Sequence, residues 1–113
     1  MGRWTGRMAT AQLRTIQPTD YPTWRHVRRE LARSAYDRQI VEEVTASIKT
    51  KGLQQPLCLA VGDDGGVYLS DGHHRAVALM NLRVRHFHFQ WFRITGPRAR
   101  IEHTPFPYDL LDR

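Results

Sequence analysis

The residues best suited to chemistry form one short run, Asp71-Gly72-His73-His74-Arg75, which lies between an apolar strand pattern and an apolar helix pattern. A strand-to-helix turn of this kind presents backbone N–H groups and the positive end of a helix dipole, and together these bind anions. Gly72 would let a phosphate approach the backbone closely. The run therefore predicts a phosphate site formed by Gly72, His73, His74 and Arg75.

Arg75 carries the strongest argument for a bound anion. A cation in the first turn of a helix is unfavourable because it meets the positive end of the dipole. An anion bound beside Arg75 would remove that conflict, as expected at a functional site. The alternative is a structural ion pair with Asp71 or Glu43. With a bound anion, Arg75→Ala should weaken binding and leave the fold intact or more stable; an ion pair predicts a lower melting temperature instead.

The same region contains candidates for proton transfer. A histidine beside a transferred phosphate could act as a general acid or base because its pKa lies near neutrality, and we assign this role to His74. Asp71 and Glu43 are the carboxylates that could orient a hydroxyl or hold Mg²⁺, although a plain helix surface is the more common role for a residue such as Glu43. His86 and His88 share one strand face, where a polar surface is expected rather than a metal site.

Apolar periodicity predicts the elements that would position these residues. A helix from about Asp37 to Lys51 carries an apolar stripe, with Asp37 as its N-cap and Gly52 just beyond its end. The period then changes to that of strands, and Leu57–Val61 and Val67–Ser70 form a hairpin. A buried helix over residues 74–81 and a strand over residues 84–94 follow. A short strand is also expected over residues 12–16. The predicted fold class is α+β, a small mixed β-sheet with packed helices.

The N-terminal half contains a second basic feature. A helix that begins near Pro22 or Thr23, capped by Thr19 or Asp20, would bury Trp24, Val27 and Leu31. Its other faces carry the candidate nucleic-acid-binding residues Arg25, Arg28, Arg29 and Arg33. The chain has 17 lysines and arginines against 11 aspartates and glutamates, a net charge of +6. Such a surface attracts polyanions, including DNA or RNA, although plain solubility charge is the alternative.

Length and composition limit the remaining choices. The 113 residues fit one domain, expected as a loose arm over residues 1–11, a domain over 12–95 and a tail over 96–113 that wraps the domain. No apolar run approaches the length of a membrane span, so no membrane partner is expected. The single cysteine, Cys58, lies in an apolar run and predicts an inert thiol. A reducing, cytoplasmic location is expected.

Two motifs in order resemble the ParB/sulfiredoxin superfamily. Gly52-Leu53-Gln54-Gln55-Pro56 is similar to the G-x-x-Q-P stretch of ParB proteins. After a hairpin, Asp71-Gly72-His73-His74-Arg75-Ala76 is similar to their G-E-R-R-x-x-A motif and to the G-G-C-H-R motif of sulfiredoxins. The preceding helix resembles the family pattern E-x-x-x-S-I-x-x-x-G through Glu43, Ser47, Ile48 and Gly52. The resemblance spans residues 13–94.

The resemblance implies a ParB/sulfiredoxin-like fold in which Gly72, His74 and Arg75 grip nucleotide phosphates. Gln54 or Gln55 would approach from the neighbouring loop. Members of the superfamily use this fold for CTP-driven DNA clamping, ATP-dependent sulfinic acid reduction, phosphorylation of free serine, and nuclease activity. The resemblance therefore implies ATP, ADP or CTP as ligand, with Mg²⁺, but the fold does not determine the reaction.

This sequence departs from the family patterns at two places. His73 stands where sulfiredoxins have their catalytic cysteine, and Cys58 lies on a different element, so sulfinic acid reduction is not expected. Residues 95–113 contain neither the E-N-x-Q-R motif nor the helix-turn-helix domain that follows in partition ParB proteins, so DNA clamping is not expected of this chain alone. Three functions remain open: a nucleotide-dependent phosphotransferase or hydrolase, which we favour, a nucleic-acid-binding module, and a nucleotide-gated interaction protein without turnover.

Overall fold

The computed structural model describes residues 6–94 and 100–112 and confirms an α+β fold in which helices pack on a mixed sheet. Within these residues the helices are Trp24–Arg33 (α1), Ala35–Lys51 (α2) and His73–Leu82 (α3). The strands are Gly6–Ala9 (β1), Gln17–Pro18 (β2), Leu57–Val61 (β3), Val67–Asp71 (β4) and His86–Arg93 (β5). Short 3-10 turns cover Thr10–Thr15 and Tyr108–Asp112. No described helix is long and apolar enough to cross a bilayer.

The sheet has the strand order β1-β5-β3-β4-β2. The β3–β4 hairpin is antiparallel, β5 lies parallel to β3, β1 is antiparallel to β5, and β2 is parallel to β4. Helix α3 therefore carries the chain from the end of β4 to the start of β5 on the other side of β3. Leu59 pairs with Leu69 but Cys58 pairs with Asp71, so Ser70 is an extra residue in β4. This irregularity lies immediately before Gly72, and β-bulges are common beside functional sites.

One face of the sheet forms the core. Alternate residues of the long strand β5, Phe87, Phe89 and Trp91, are buried as their spacing predicted. They cluster with apolar residues of β3, β4, α2 and α3, including Ile48 and Leu79. The apolar side chains of this face therefore pack against α2 and α3, and the N-terminal ends of these two helices form the site.

The N-terminal segment differs from the expected loose arm. Residues 1–5 lie outside the described part, but Gly6–Ala9 pair with β5 and Met8 is 2% exposed. The strand expected over residues 12–16 is a 3-10 turn instead. Gln12 explains this difference because its side chain accepts a hydrogen bond from the Ala9 N–H (3.2 Å) and its carbonyl accepts one from the Thr15 hydroxyl (2.7 Å). Such local bonds favour a turn over a strand.

Two predicted helix caps are also corrected. Thr23, rather than Thr19 or Asp20, caps α1 by accepting the His26 N–H at 3.1 Å. The Thr19 hydroxyl instead donates to the Leu69 carbonyl at 2.9 Å. Ser34 caps α2 by accepting the Asp37 N–H, so Asp37 lies inside the first turn with its carboxylate free for another role.

The described part of the tail packs on the sheet. Phe106 is buried and meets the rings of Phe89 and Trp91 edge-on, with centroids 5.2 and 5.5 Å apart. The Trp91 indole N–H donates to the Thr104 carbonyl at 3.2 Å, and Leu111 is buried. These contacts make the tail part of the core. Residues 95–99 and 113, which include part of the predicted tail, lie outside the described residues.

Candidate functional site

The turn from β4 into α3 places the predicted residues at the start of a helix. Gly72 is the N-cap of α3 and has a φ of +108°, a left-handed conformation that favours glycine. A Cβ atom at this position would lie 2.6 Å from Cδ2 of Leu57. The glycine is therefore required by the fold itself, since its α-carbon packs against β3, and close approach of a ligand is not needed to explain it.

Arg75 lies in the first turn of α3, and its guanidinium is held by two protein groups. Nη1 donates to the Pro56 carbonyl at 2.8 Å, and Nη2 donates to Oδ2 of Asp71 at 3.3 Å. The Arg75 side chain is 16% exposed, whereas that of Asp71 is 80% exposed. The ion pair anticipated as the alternative to a bound anion is thus present with Asp71 and not with Glu43. The ion pair with Asp71 does not exclude a bound anion, because a guanidinium group has five N–H donors.

His74 faces α2 and contacts a carboxylate that sequence patterns did not connect with it. Its Nε2 lies 3.0 Å from Oδ1 of Asp37, and both side chains are about one-third exposed. A carboxylate bonded to one ring nitrogen fixes the tautomer and orientation of an imidazole. The pair therefore has the arrangement of an oriented general acid or base.

His73 occupies a different environment from its neighbour. Its ring lies near those of Tyr21 and Trp24, at centroid distances of 5.8 and 6.3 Å, and its buried Nε2 has no hydrogen-bond partner among the described residues. Burial lowers the pKa of His73 below its ordinary value, an effect opposed by the charges of Asp20 and Asp71. The neutral form of His73 is therefore favoured, so this side chain lines the site without supplying positive charge to a phosphate.

These residues line one cleft of about 390 Å³ between α2, the start of α3 and the segment before α1. Gly72, His73, His74, Arg75 and Gln55 meet there. Three further residues line the cleft that the sequence did not predict as site residues: Asp20, Tyr21 and Asp37. The cleft thus contains three carboxylates, two imidazoles and one guanidinium. No signal in the sequence pairs residue 37 with residue 74, because only the packing of α2 against α3 brings them together.

Two predicted residues lie outside this cleft. Glu43 is exposed on α2, where its carboxylate accepts a hydrogen bond from Gln39 at 3.0 Å. Gln54 donates to the carbonyls of Lys51 (2.9 Å) and Gly52 (3.4 Å), so its amide closes the end of α2. Neither lines the cleft, and the structure gives no support to the catalytic role predicted for Glu43 or the phosphate contact predicted for Gln54.

The candidate nucleic-acid-binding residues lie exposed on α1. Arg28 donates to the side-chain oxygen of Asn81 at 2.6 Å, and Arg33 pairs with Glu30 at 3.5 Å. Arg25 and Arg29 have no carboxylate within 4.0 Å among the described residues. We refer to Arg25, Arg28, Arg29 and Arg33 together as the α1 arginine surface.

Metal-binding side chains do not converge in the described residues. No group of three or more His, Cys, Asp or Glu side chains there is arranged to hold a metal ion. His86 and His88 are exposed on β5, and Nδ1 of His86 lies 3.3 Å from Nη2 of Arg7. A divalent cation in the cleft would therefore need most of its ligands from a bound molecule or water.

Cys58 does not line the cleft, although it pairs with Asp71 across the hairpin. It is half-buried rather than buried. Burial, together with the charge of Asp71, raises the pKa of the Cys58 thiol, while Arg75 and Gln90 partly oppose this rise. A thiol with a raised pKa is a poor nucleophile at neutral pH.

Comparisons of the chain with protein-family models, curated proteins and solved structures found no match. The resemblance to the ParB/sulfiredoxin superfamily therefore stays a prediction from sequence motifs. The function must be inferred from the cleft itself.

Proposed function

We propose that the cleft binds a nucleoside di- or triphosphate, such as ATP, ADP or CTP, and uses it for phosphoryl transfer or hydrolysis. The observation that carries this proposal is the presence of the Asp37–His74 pair and the Gly72 turn in one cleft. A helix start that attracts phosphate and an imidazole oriented by a carboxylate are two parts that such a reaction needs side by side. The nucleotide and the free thiol of Cys58 both fit a cytoplasmic location.

The phosphate would bind at the first turn of α3. The Ala76 N–H bonds to the Gly72 carbonyl, so the N–H groups of His73, His74 and Arg75 precede the first intrahelical bond and are available to an anion. Arg75 keeps three guanidinium N–H donors beyond those bonded to Pro56 and Asp71. The existing bonds hold the guanidinium in place, which lowers the entropy cost of binding a ligand.

The charge of the cleft favours a nucleotide accompanied by Mg²⁺. Bare phosphates would meet the carboxylates of Asp20, Asp37 and Asp71 with only Arg75 to oppose them. Mg²⁺ is commonly held by one or two carboxylates together with substrate phosphates, and the exposed Asp71 at the rim is the residue best placed to contact it. When bound, the ion would neutralise charge on the phosphates.

His74 would handle the proton in this reaction. Its imidazole accepts a proton from an attacking water or hydroxyl, and the bond to Asp37 holds the ring in position for this transfer. His73, neutral beside Tyr21 and Trp24, would help exclude water from one side of the cleft. The acceptor is a water or an alcohol, since the pair is suited to remove a proton from either.

The test is a panel of ATP, ADP and CTP, each measured with Mg²⁺ and with EDTA. Calorimetry should detect binding of at least one nucleotide, weaker by about tenfold or more in EDTA, and release of phosphate or diphosphate should follow. The His74→Ala variant is the control for turnover. Binding without turnover would favour the nucleotide-gated interaction protein, and the absence of binding to every nucleotide would contradict the proposal.

Binding of nucleic acid is a second candidate function, favoured by the α1 arginine surface. Its guanidinium groups lie on one exposed helix, and Arg25 and Arg29 have no ion-pair partner among the described residues. Contacts to backbone phosphates would give binding that is independent of sequence and falls steeply as salt rises. Gel retardation of DNA and RNA across a salt series tests this, with Arg25→Ala/Arg29→Ala as the variant. Absence of retardation at low salt would contradict it.

A further inference from the structure

A second pocket lies at the other end of α3 from the cleft. It has a volume of about 460 Å³, and four arginines line it. The helix between the two sites is 10 residues long, about 15 Å at the usual rise. We call this feature the arginine pocket; its arginines are Arg14, Arg28, Arg83 and Arg85.

The arginine pocket concentrates positive charge without an internal counterion. No carboxylate lines it, and among the described residues none lies within 4.0 Å of its guanidinium groups. Within residues 6–94 and 100–112, Arg28 donates to the neutral amide of Asn81 and has no ion-pair partner. The four side chains come from the first 3-10 turn, from α1 and from the connection between α3 and β5, so tertiary structure assembles the cluster. Four exposed arginines around one pocket give it a positive potential that attracts anions.

Thr10, beside the arginines, has a buried hydroxyl group that is not hydrogen-bonded within the described part of the chain. It lines the pocket and is only 6% exposed, yet its Oγ1 has no hydrogen-bond partner among the described residues. Its backbone N–H donates to the Arg85 carbonyl at 3.0 Å, which fixes the residue beside the arginines. Buried hydroxyl groups are nearly always hydrogen-bonded, and Oγ1 would gain a partner if the Thr10 side chain turned towards an anion in the pocket.

The backbone at Arg83 supports the same conclusion. Arg83 ends α3 with a φ of +54°, a position that glycine usually occupies because a side chain there is strained. A favourable interaction with the negative end of the helix dipole could explain one or two cations near this end. It does not explain Arg14 and Arg28, which belong to other elements.

We propose that the arginine pocket binds the phosphate groups of a polyanion, with the Thr10 hydroxyl as a further hydrogen-bonding group. Arginine matches phosphate because its planar N–H donors bind two oxygens at once. The volume is large enough for more than one phosphate, and Arg28 connects the pocket to the α1 arginine surface. Two sources share this chemistry, a free polyphosphate and the backbone of a nucleic acid. The proposal does not rest on the nucleotide cleft, but it shares Arg28 with the α1 arginine surface.

The experiment measures binding of inorganic triphosphate and of a short oligonucleotide, both in EDTA, so that the carboxylate-lined cleft disfavours bare phosphate. Arg83→Gly removes one guanidinium and relieves the backbone strain, and Thr10→Val removes the hydroxyl at nearly constant volume. Lys49→Ala, on the exposed surface of α2, is the control for loss of one charge. Thermal melts of each variant show whether a loss of binding is accompanied by a loss of stability.

Arg83→Gly should weaken binding by about tenfold or more, and Thr10→Val by about two- to tenfold. Both should melt no lower than the unaltered protein, while Lys49→Ala should bind nearly as well. Loss of triphosphate binding supports a free polyphosphate as ligand, and loss confined to the oligonucleotide supports a nucleic-acid backbone. Affinities unchanged in an Arg83→Gly/Arg85→Ala variant would overturn the proposal. Triphosphate binding that is lost in Arg75→Ala and kept in Arg83→Gly/Arg85→Ala would assign the anion to the cleft and overturn the proposal as well.

Discussion

Nε2 of His74, at the start of α3, lies 3.0 Å from Oδ1 of Asp37, in the first turn of α2. The contact joins two helix N-termini across the cleft. It gives an imidazole near the predicted phosphate position a fixed orientation. The roles assigned to the cleft depend mainly on this pair, and it can be tested without disturbing the core.

Removal of the His74 imidazole should affect turnover more than binding. His74→Ala is expected to lower the rate of nucleotide turnover by about 10²-fold or more, the usual contribution of a general acid or base. Asp37→Asn should lower it less, because the imidazole remains but loses its charged partner. Nucleotide affinity should change by no more than about threefold in either variant. Equal losses in affinity and rate would show that the pair binds substrate instead.

Arg75→Ala should lower both stability and nucleotide affinity. The structure changes the expectation from sequence that the fold would be unaffected or more stable, because Nη1 of Arg75 donates to the Pro56 carbonyl. Loss of a charged hydrogen bond at a side chain that is 16% exposed should reduce the free energy of unfolding by about 1.5–3 kcal/mol. Urea denaturation measures this effect, with Asp71→Asn as the control. Nucleotide affinity should fall about ten- to a hundredfold, and unchanged affinity in a folded variant would contradict the phosphate site.

Gly72→Ala should destabilise the protein more than Gly52→Ala. Both glycines have positive φ, +108° and +76°, so a side chain at either meets backbone strain of about 1–3 kcal/mol. Only at Gly72 would the new Cβ lie 2.6 Å from Leu57, whereas nothing lies within 4 Å at Gly52. A larger loss in the free energy of unfolding at Gly72 would show that the contact with Leu57 outweighs the backbone strain at Gly52, where ψ is −179°. An equal or smaller loss at Gly72 would contradict this order.

His73 should make the protein less stable as the pH falls. Burial lowers its pKa in the folded state below the ordinary value of 6.5, so the unfolded chain binds the proton more tightly. Stability from neutral His73 is present above pH 6.5 and is lost as the pH falls from there towards the folded-state pKa. His73→Phe keeps an aromatic ring against Tyr21 and Trp24 but cannot titrate. Urea denaturation at pH 5 and pH 7.5 should show a smaller pH dependence in this variant than in the unaltered protein.

Local patterns in the sequence determined the helices and strands that carry the site residues. The strand Leu57–Val61 was predicted with its observed bounds, and α3 and β4 within one residue at each end. Gly52 and Gly72 marked changes of backbone direction because few other residues adopt positive φ. The prediction for the segment from Gly6 to Ile16 was wrong. Its structure depends on the hydrogen bonds of Gln12 and on pairing with β5, and hydrophobic periodicity detects neither.

Only the tertiary structure decided which side chains share a site. Asp37 and His74 are 37 residues apart and meet because α2 packs against α3. Glu43 does not line the cleft because it lies on the exposed side of the same helix. The arginine pocket likewise joins residues from three parts of the chain. Spacing along a sequence predicts which residues share one face of a helix or strand, since that depends on backbone geometry alone. It does not predict contacts between elements, since these depend on how the whole core packs.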